Sequence, residues 1–350
     1  MEYSILDNTQ PIHVIPAYAS VEEHALFTIA SAEESYNRIM ESVGIYELSL
    51  VMEGNANKEK LSIKNILDKF TKFVKELWQK FQDIVKTARD KFESFVAGKV
   101  KALVDKKSKL DANKVKEAIK ASKDDRWNKD VLKNVVEVGQ LPDSYASNAG
   151  KAIDEVAEKV TAAVKNGTVD DLDVEAIFAD KFAGITKETF KDASKLKATI
   201  INDIMKTKSE TSSEAKATAE KHFGEWWDDL TKAKETFTKS IKGTYNTTKK
   251  NFDTAISDAK KVAKGSDNAK AFKPLFRSAT AALKVSACII NAIETAYFAE
   301  FRYKYSVVLN SLAVALVHTV KKESAAPEID DEVKTESSVF QSELSSLFVF

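Results

Sequence analysis

From Leu61 to Val104 the chain runs without a proline and with a single glycine, Gly98. Apolar side chains recur at Ile63, Leu67, Phe70, Val74, Leu77, Phe81, Ile84, Ala88, Phe92 and Phe95, in steps of three and four. That is the repeat of one face of an α-helix. Phe73, Trp78, Val85, Val96 and Val100 widen the stripe, and lysines fill much of the remainder. A helix over this stretch extends roughly 65 Å at about 1.5 Å per residue. It cannot hide its apolar face by folding on itself, so what covers that face decides the fold.

The rest of the chain offers matching faces. Ten glycines and five prolines in 350 residues lie far below average usage of roughly 7% and 5%, so turns are few and elements long. We expect an all-α fold, an elongated bundle of long amphipathic helices. Val21 to Met52 reads as a helix, and Gly54-Asn55-Ala56-Asn57 as a polar link. Asp111 to Val138 suggests one or two shorter helices with Asp111 as N-cap. Lys151 to Val164 and Thr186 to Met205 are helical in pattern, and Lys206 to Ser213 reads as a loop. No strand is expected. From Ser213 a second long helix runs to about Lys264, with Phe223, Trp226, Trp227, Leu230, Phe237, Ile241 and Phe252 in its stripe. Leu275 to Val320 is the most apolar part and reads as one or two helices buried on more than one side. Its longest uncharged run, Tyr305 to Val320, falls short of the ~20 residues of a membrane span. The chain divides accordingly into an acidic segment (1–53), a long amphipathic helix (54–110), a short-helix region (111–210), a long helix followed by apolar helices (211–322) and an acidic, flexible tail (323–350).

No catalytic constellation is visible, and we read the chain as non-enzymatic, with no cofactor and no metal. Gly98-Lys99 lacks the glycine five positions earlier that a phosphate loop needs, because Glu93 stands there. His222 and Glu225 are three apart on a helix face, but no second such pair accompanies them, so they read as a solvated polar pair. Cys288, the single cysteine, lies in an apolar run and reads as a small buried hydrophobe. The acidic N-terminus is unlike a secretory leader.

The aromatic residues Phe70, Phe73, Trp78, Phe81, Phe92, Phe95, Trp226 and Trp227 admit two readings. They form a membrane or partner face, or they pack inside the bundle. We take the second, because the other segments carry complementary stripes. Of the pair Trp226-Trp227, one is expected in the core and one at its rim.

The charge is partitioned. Met1 to Asn57 contains no lysine and has nine acids against the single base Arg38, a net charge of −8. With a formal total of zero, the remaining residues carry +8. The change falls next to Val51-Met52-Glu53-Gly54. This arrangement resembles the internal head proteins and other virion proteins of large tailed bacteriophages. Such proteins begin with an acidic helical propeptide that directs them into the assembling prohead. A prohead protease then cuts after a glutamate, typically in a Leu/Ile-x-Glu pattern followed by a small residue. Val51 replaces Leu or Ile here; Ile45-Tyr46-Glu47 fits the first three positions but is followed by Leu48.

The resemblance implies proteolytic maturation near Glu53, a virion location in the head interior after synthesis in the host cytoplasm, and oligomeric contacts with other virion proteins or the capsid interior. It also implies packaging with DNA, ejection with the genome, and membrane contact at that step. The lysine surplus after residue 57 suits nonspecific association with DNA phosphates. Two alternatives stand beside this reading: a membrane-interacting or pore-forming helical protein, and an assembly scaffold absent from the mature particle.

Overall fold

The apolar stripe that starts near Leu61 becomes one helix, α1 (Ala56–Lys107). Gly98 does not interrupt it. The computed structural model describes residues 56–107, 111–139, 144–166, 168, 172–265 and 269–323. The helix expected over Val21 to Met52, the stretch Val51-Met52-Glu53-Gly54 and the tail 324–350 lie outside them.

After α1 come α2 (Ala112–Ala121), a 3-10 turn at Asp124–Trp127, α3 (Asp130–Lys133) and β1 (Asn134–Val138). Then follow α4 (Ser144–Asn166), α5 (Val174–Ala179), α6 (Lys187–Lys191), α7 (Ala193–Ile204) and β2 (Met205–Ser209). The chain continues through α8 (Ser212–Gly265) and, after a short 3-10 turn, α9 (Phe272–Glu323). The architecture is all-α and elongated, with one small sheet.

Its trunk is the trio α1, α8 and α9, of 52, 54 and 52 residues, each roughly 80 Å long at about 1.5 Å per residue. Aromatic contacts fix their directions. Phe70 meets Phe276 at 5.0 Å, and Phe92 meets Phe298 at 5.2 Å, so α1 and α9 are parallel. Trp78 meets Tyr245 at 4.9 Å while Phe92 stacks on Phe237 at 4.2 Å, so α8 is antiparallel to both. Pro274 sits in the first turn of α9, where helix N–H groups lack partners in any case. Beyond it nothing breaks α9, so the apolar region is one helix. Every residue from Tyr305 to Leu316 is buried.

The segment between α1 and α8 fills in around this trunk. Asp111 caps α2, its Oδ1 accepting from the Asn113 N–H at 2.8 Å. α4 runs parallel to α8, where Asn251 Nδ2 donates to the Ala146 carbonyl at 2.7 Å. The helical stretch expected from Thr186 to Met205 is two helices, because Asp192 ends α6 and caps α7 through the N–H groups of Ser194 and Lys195.

The sheet corrects the expectation of no strand. Val136 lies opposite Thr207 in an antiparallel β1–β2 pair. Backbone bonds from the Gly139 N–H to the Ile204 carbonyl and from the Glu210 N–H to the Lys133 carbonyl, each 2.7 Å, extend its ends. Three β-branched valines favour extended backbone in β1. The partner strand, with Lys206 and Lys208 facing solvent, carries no apolar alternation and reads locally as a loop. Only pairing across some seventy residues of chain defines it.

Candidate functional site

The aromatic candidates lie inside. Phe70, Phe73, Phe81 and Phe92 are each at most 1% exposed, and Trp78 and Phe95 are half-buried against the same core. The Trp78 ring is held by Phe81, Tyr245 and Phe252. Trp226 and Trp227 are 7% and 6% exposed, so neither is a rim residue. Neighbouring positions on a helix point about 100° apart, and both can be buried only where the helix is covered on two sides. The first turns of α8 meet that condition, with α9 on one flank and α2 with the 3-10 turn on another.

With the aromatics turned inward, α1 and α8 present lysines outward. Residues 64–91 of α1 and 234–264 of α8 lie side by side and hold sixteen bases against seven acids, a net charge of +9. The preceding part of α8, residues 212–233, carries −2. Charge therefore divides along α8 as well as along the chain. Between the two basic stretches runs an open groove of about 810 Å³, whose lining includes Gln79, Gln82, Lys86, Arg89, Lys242 and Tyr245 together with the acids Asp83 and Asp90. Gln82 Nε2 donates to the Tyr245 hydroxyl at 2.9 Å across it. Lys72 and Lys75 continue the α1 ridge, and Lys249 continues the α8 ridge; all three are exposed. At the upper end of the groove, Lys234 bridges to Glu93 at 2.8 Å. That contact, with Arg89 nearby, holds the Glu93 carboxyl below its ordinary range.

Lys86, Arg89 and Lys242 give the groove cationic donors, the chemistry that in general meets phosphate oxygens. The sequence displays the surplus of lysine but not the groove, because Lys86 and Lys242 meet only through the α1–α8 pairing. The split of charge along α8 is the one local signal of it.

The remaining candidates have ordinary surroundings. His222 Nδ1 and Glu225 Oε2 are 2.9 Å apart, and the imidazole stacks on Trp226. Cys288 is buried and donates to the Ala193 carbonyl at 3.5 Å. Among the described residues no group of three or more His, Cys, Asp or Glu side chains is placed to hold a metal ion. One described helix, spanning Ala269–His318, is long and apolar enough to cross a membrane by length and composition, and 78% of its most apolar window is buried within the bundle.

Comparison with models of protein families, with curated proteins and with solved structures finds no match to this chain.

Proposed function

We propose that this chain is a non-enzymatic structural protein of a tailed-phage virion, an internal head protein packaged with DNA after cleavage near Glu53. The observation that carries the reading is the coincidence of two sequence boundaries: the lysine-free acidic segment ends, and the Val51-Met52-Glu53-Gly54 pattern occurs, within a few residues. Before cleavage, the −8 segment offsets the basic body and limits its attraction to DNA. After cleavage the body carries +8, and the α1/α8 groove supplies the phosphate-neutralising surface. Its partners are the prohead protease, the capsid interior or other virion proteins, and nonspecific DNA.

The test is intact-mass measurement and N-terminal sequencing of the protein taken from its natural assembly. A species beginning at Gly54 is expected; a chain retaining Met1 removes the main support.

A second reading is favoured by α9 alone. A helix of that length and apolarity, released from the bundle, suits membrane contact during genome ejection. Leakage of dye from anionic vesicles on adding the protein is the corresponding measurement, and intact vesicles at all protein concentrations would sink it.

A further inference from the structure

The sheet, the first turns of α8 and the Tyr303 region of α9 enclose a second cleft, of about 1010 Å³. Tyr303 lines it, is 2% exposed, and has a hydroxyl with no hydrogen-bond partner. Buried hydroxyls are nearly always paired, and leaving one unpaired costs free energy that a ligand can recover. The groups around it decide which ligand. Glu210 has a nearly buried carboxylate that accepts from Thr218 Oγ1 at 3.0 and 3.2 Å, with the Lys208 ammonium 3.8 Å away. Glu137 stands near the phenol on β1, and burial together with these two carboxylates pushes the Tyr303 phenol well above its ordinary pKa. Lys304 adds no spare positive charge, since Asp229 at 2.6 Å and Glu300 at 3.2 Å both engage it. The other lysines of the cleft, Lys206, Lys208 and Lys221, stand exposed at its rim. The charged groups set against the phenol itself are the carboxylates of Glu210 and Glu137, the first of them 3.8 Å from the Lys208 ammonium. Trp226 stands edge-on to Tyr303 at 5.3 Å and forms an apolar wall; Val135, Val136 and Val138 line the sheet side.

An anion entering here would meet Glu210 and Glu137. A neutral donor would leave Glu137 without an opposite charge, since among the described residues only Glu210 of the two has a lysine in reach. We infer that the cleft binds an aliphatic oligoamine, with one ammonium group donating to the Tyr303 hydroxyl and the Glu210 carboxylate, and the methylene spacers lying along Trp226 and the valines. The inference stands apart from the virion reading, because it rests on the opposite end of α8 from the basic groove.

The test is isothermal titration calorimetry of the full chain with spermidine, and with inorganic phosphate as the probe of opposite charge. One saturable spermidine site is expected. Tyr303→Phe should weaken it about tenfold, since it removes one hydrogen bond to a charged donor and keeps the ring. Because the hydroxyl has no partner in the empty protein, this variant should melt at or above the wild-type temperature, which separates a binding defect from a folding defect. Glu210→Gln should weaken binding at least as much, and Lys86→Gln, in the distant groove, should leave it unchanged. Absence of saturable binding, spermidine affinity unaltered in Tyr303→Phe, or tighter binding of phosphate than of spermidine would each overturn the inference.

Discussion

Gly150 lies inside α4, where replacing glycine with alanine ordinarily stabilises a helix by about 1 kcal/mol. Here a Cβ would sit 2.5 Å from Asn251 Oδ1. Asn251 is 6% exposed and holds the Ala146 carbonyl, so it has little room to yield. The clash therefore decides the sign. Gly150→Ala should lose about 1–3 kcal/mol in chemical denaturation, and Asn251→Ser in the same chain should restore part of it. One turn further along α4, Asp154 faces Asp258 of α8. Burial comes first among the causes that raise the Asp154 carboxyl above its ordinary 3.8, followed by the charge of Asp258 and a hydrogen bond with it; Lys261 opposes, and Glu158 adds to the rise. A raised carboxyl binds its proton more tightly in the folded state. Its stabilising effect is complete below the ordinary value and is lost as pH rises through the raised one. Asp154→Asn should therefore be more stable than wild type at pH 7, with the difference closing towards pH 4. A difference that grows on acidification would show the sign to be wrong.

Each long helix depends on its neighbours for cover. Phe92 of α1 is fully buried among Phe237 of α8 and Phe298, Tyr297 and Phe301 of α9, so one ring joins all three helices. Phe92→Ala should cost about 3–5 kcal/mol, read from the denaturation midpoint. The same dependence explains what sequence can reveal. The stripes of α1 and α8 repeat locally, so both helices are legible to within a few residues of their ends. The continuity of α9 is legible only as apolarity, because a helix buried around most of its circumference shows little of a polar face. β2 is not legible at all, since Met205–Ser209 acquires its meaning from β1 across the fold. Likewise the burial of both Trp226 and Trp227 depends on cover from other elements, such as Tyr303 of α9 against Trp226, which nothing within α8 announces. The basic groove is half visible: its lysines can be counted, but the pairing of Lys86 with Lys242 across it cannot be read.

For the whole molecule, the lengthwise division of charge has a measurable signature. If the α1/α8 groove neutralises DNA phosphates, affinity for random duplex DNA should fall steeply with salt. Replacing Lys86, Arg89 and Lys242 together with glutamine should reduce the slope of log K against log salt by roughly 2–3, at about 0.9 for each phosphate no longer neutralised. An unchanged slope would place the DNA on another part of the surface.

The parallel pairing of α1 with α9 also constrains how the protein is made. Phe70 finds Phe272 and Phe276, and Phe92 finds Phe298, only after some two hundred intervening residues have left the ribosome. At about 5–20 residues per second, the side of the α1 stripe that faces α9 remains uncovered for roughly 10–40 s of synthesis, although α8 reaches Trp78 and Phe92 sooner. During that interval the nascent chain is an unfinished amphipathic surface, dependent on whatever shields it. A ribosome halted before Phe272 would hold a chain that has most of its secondary structure and still lacks the helix that closes its core.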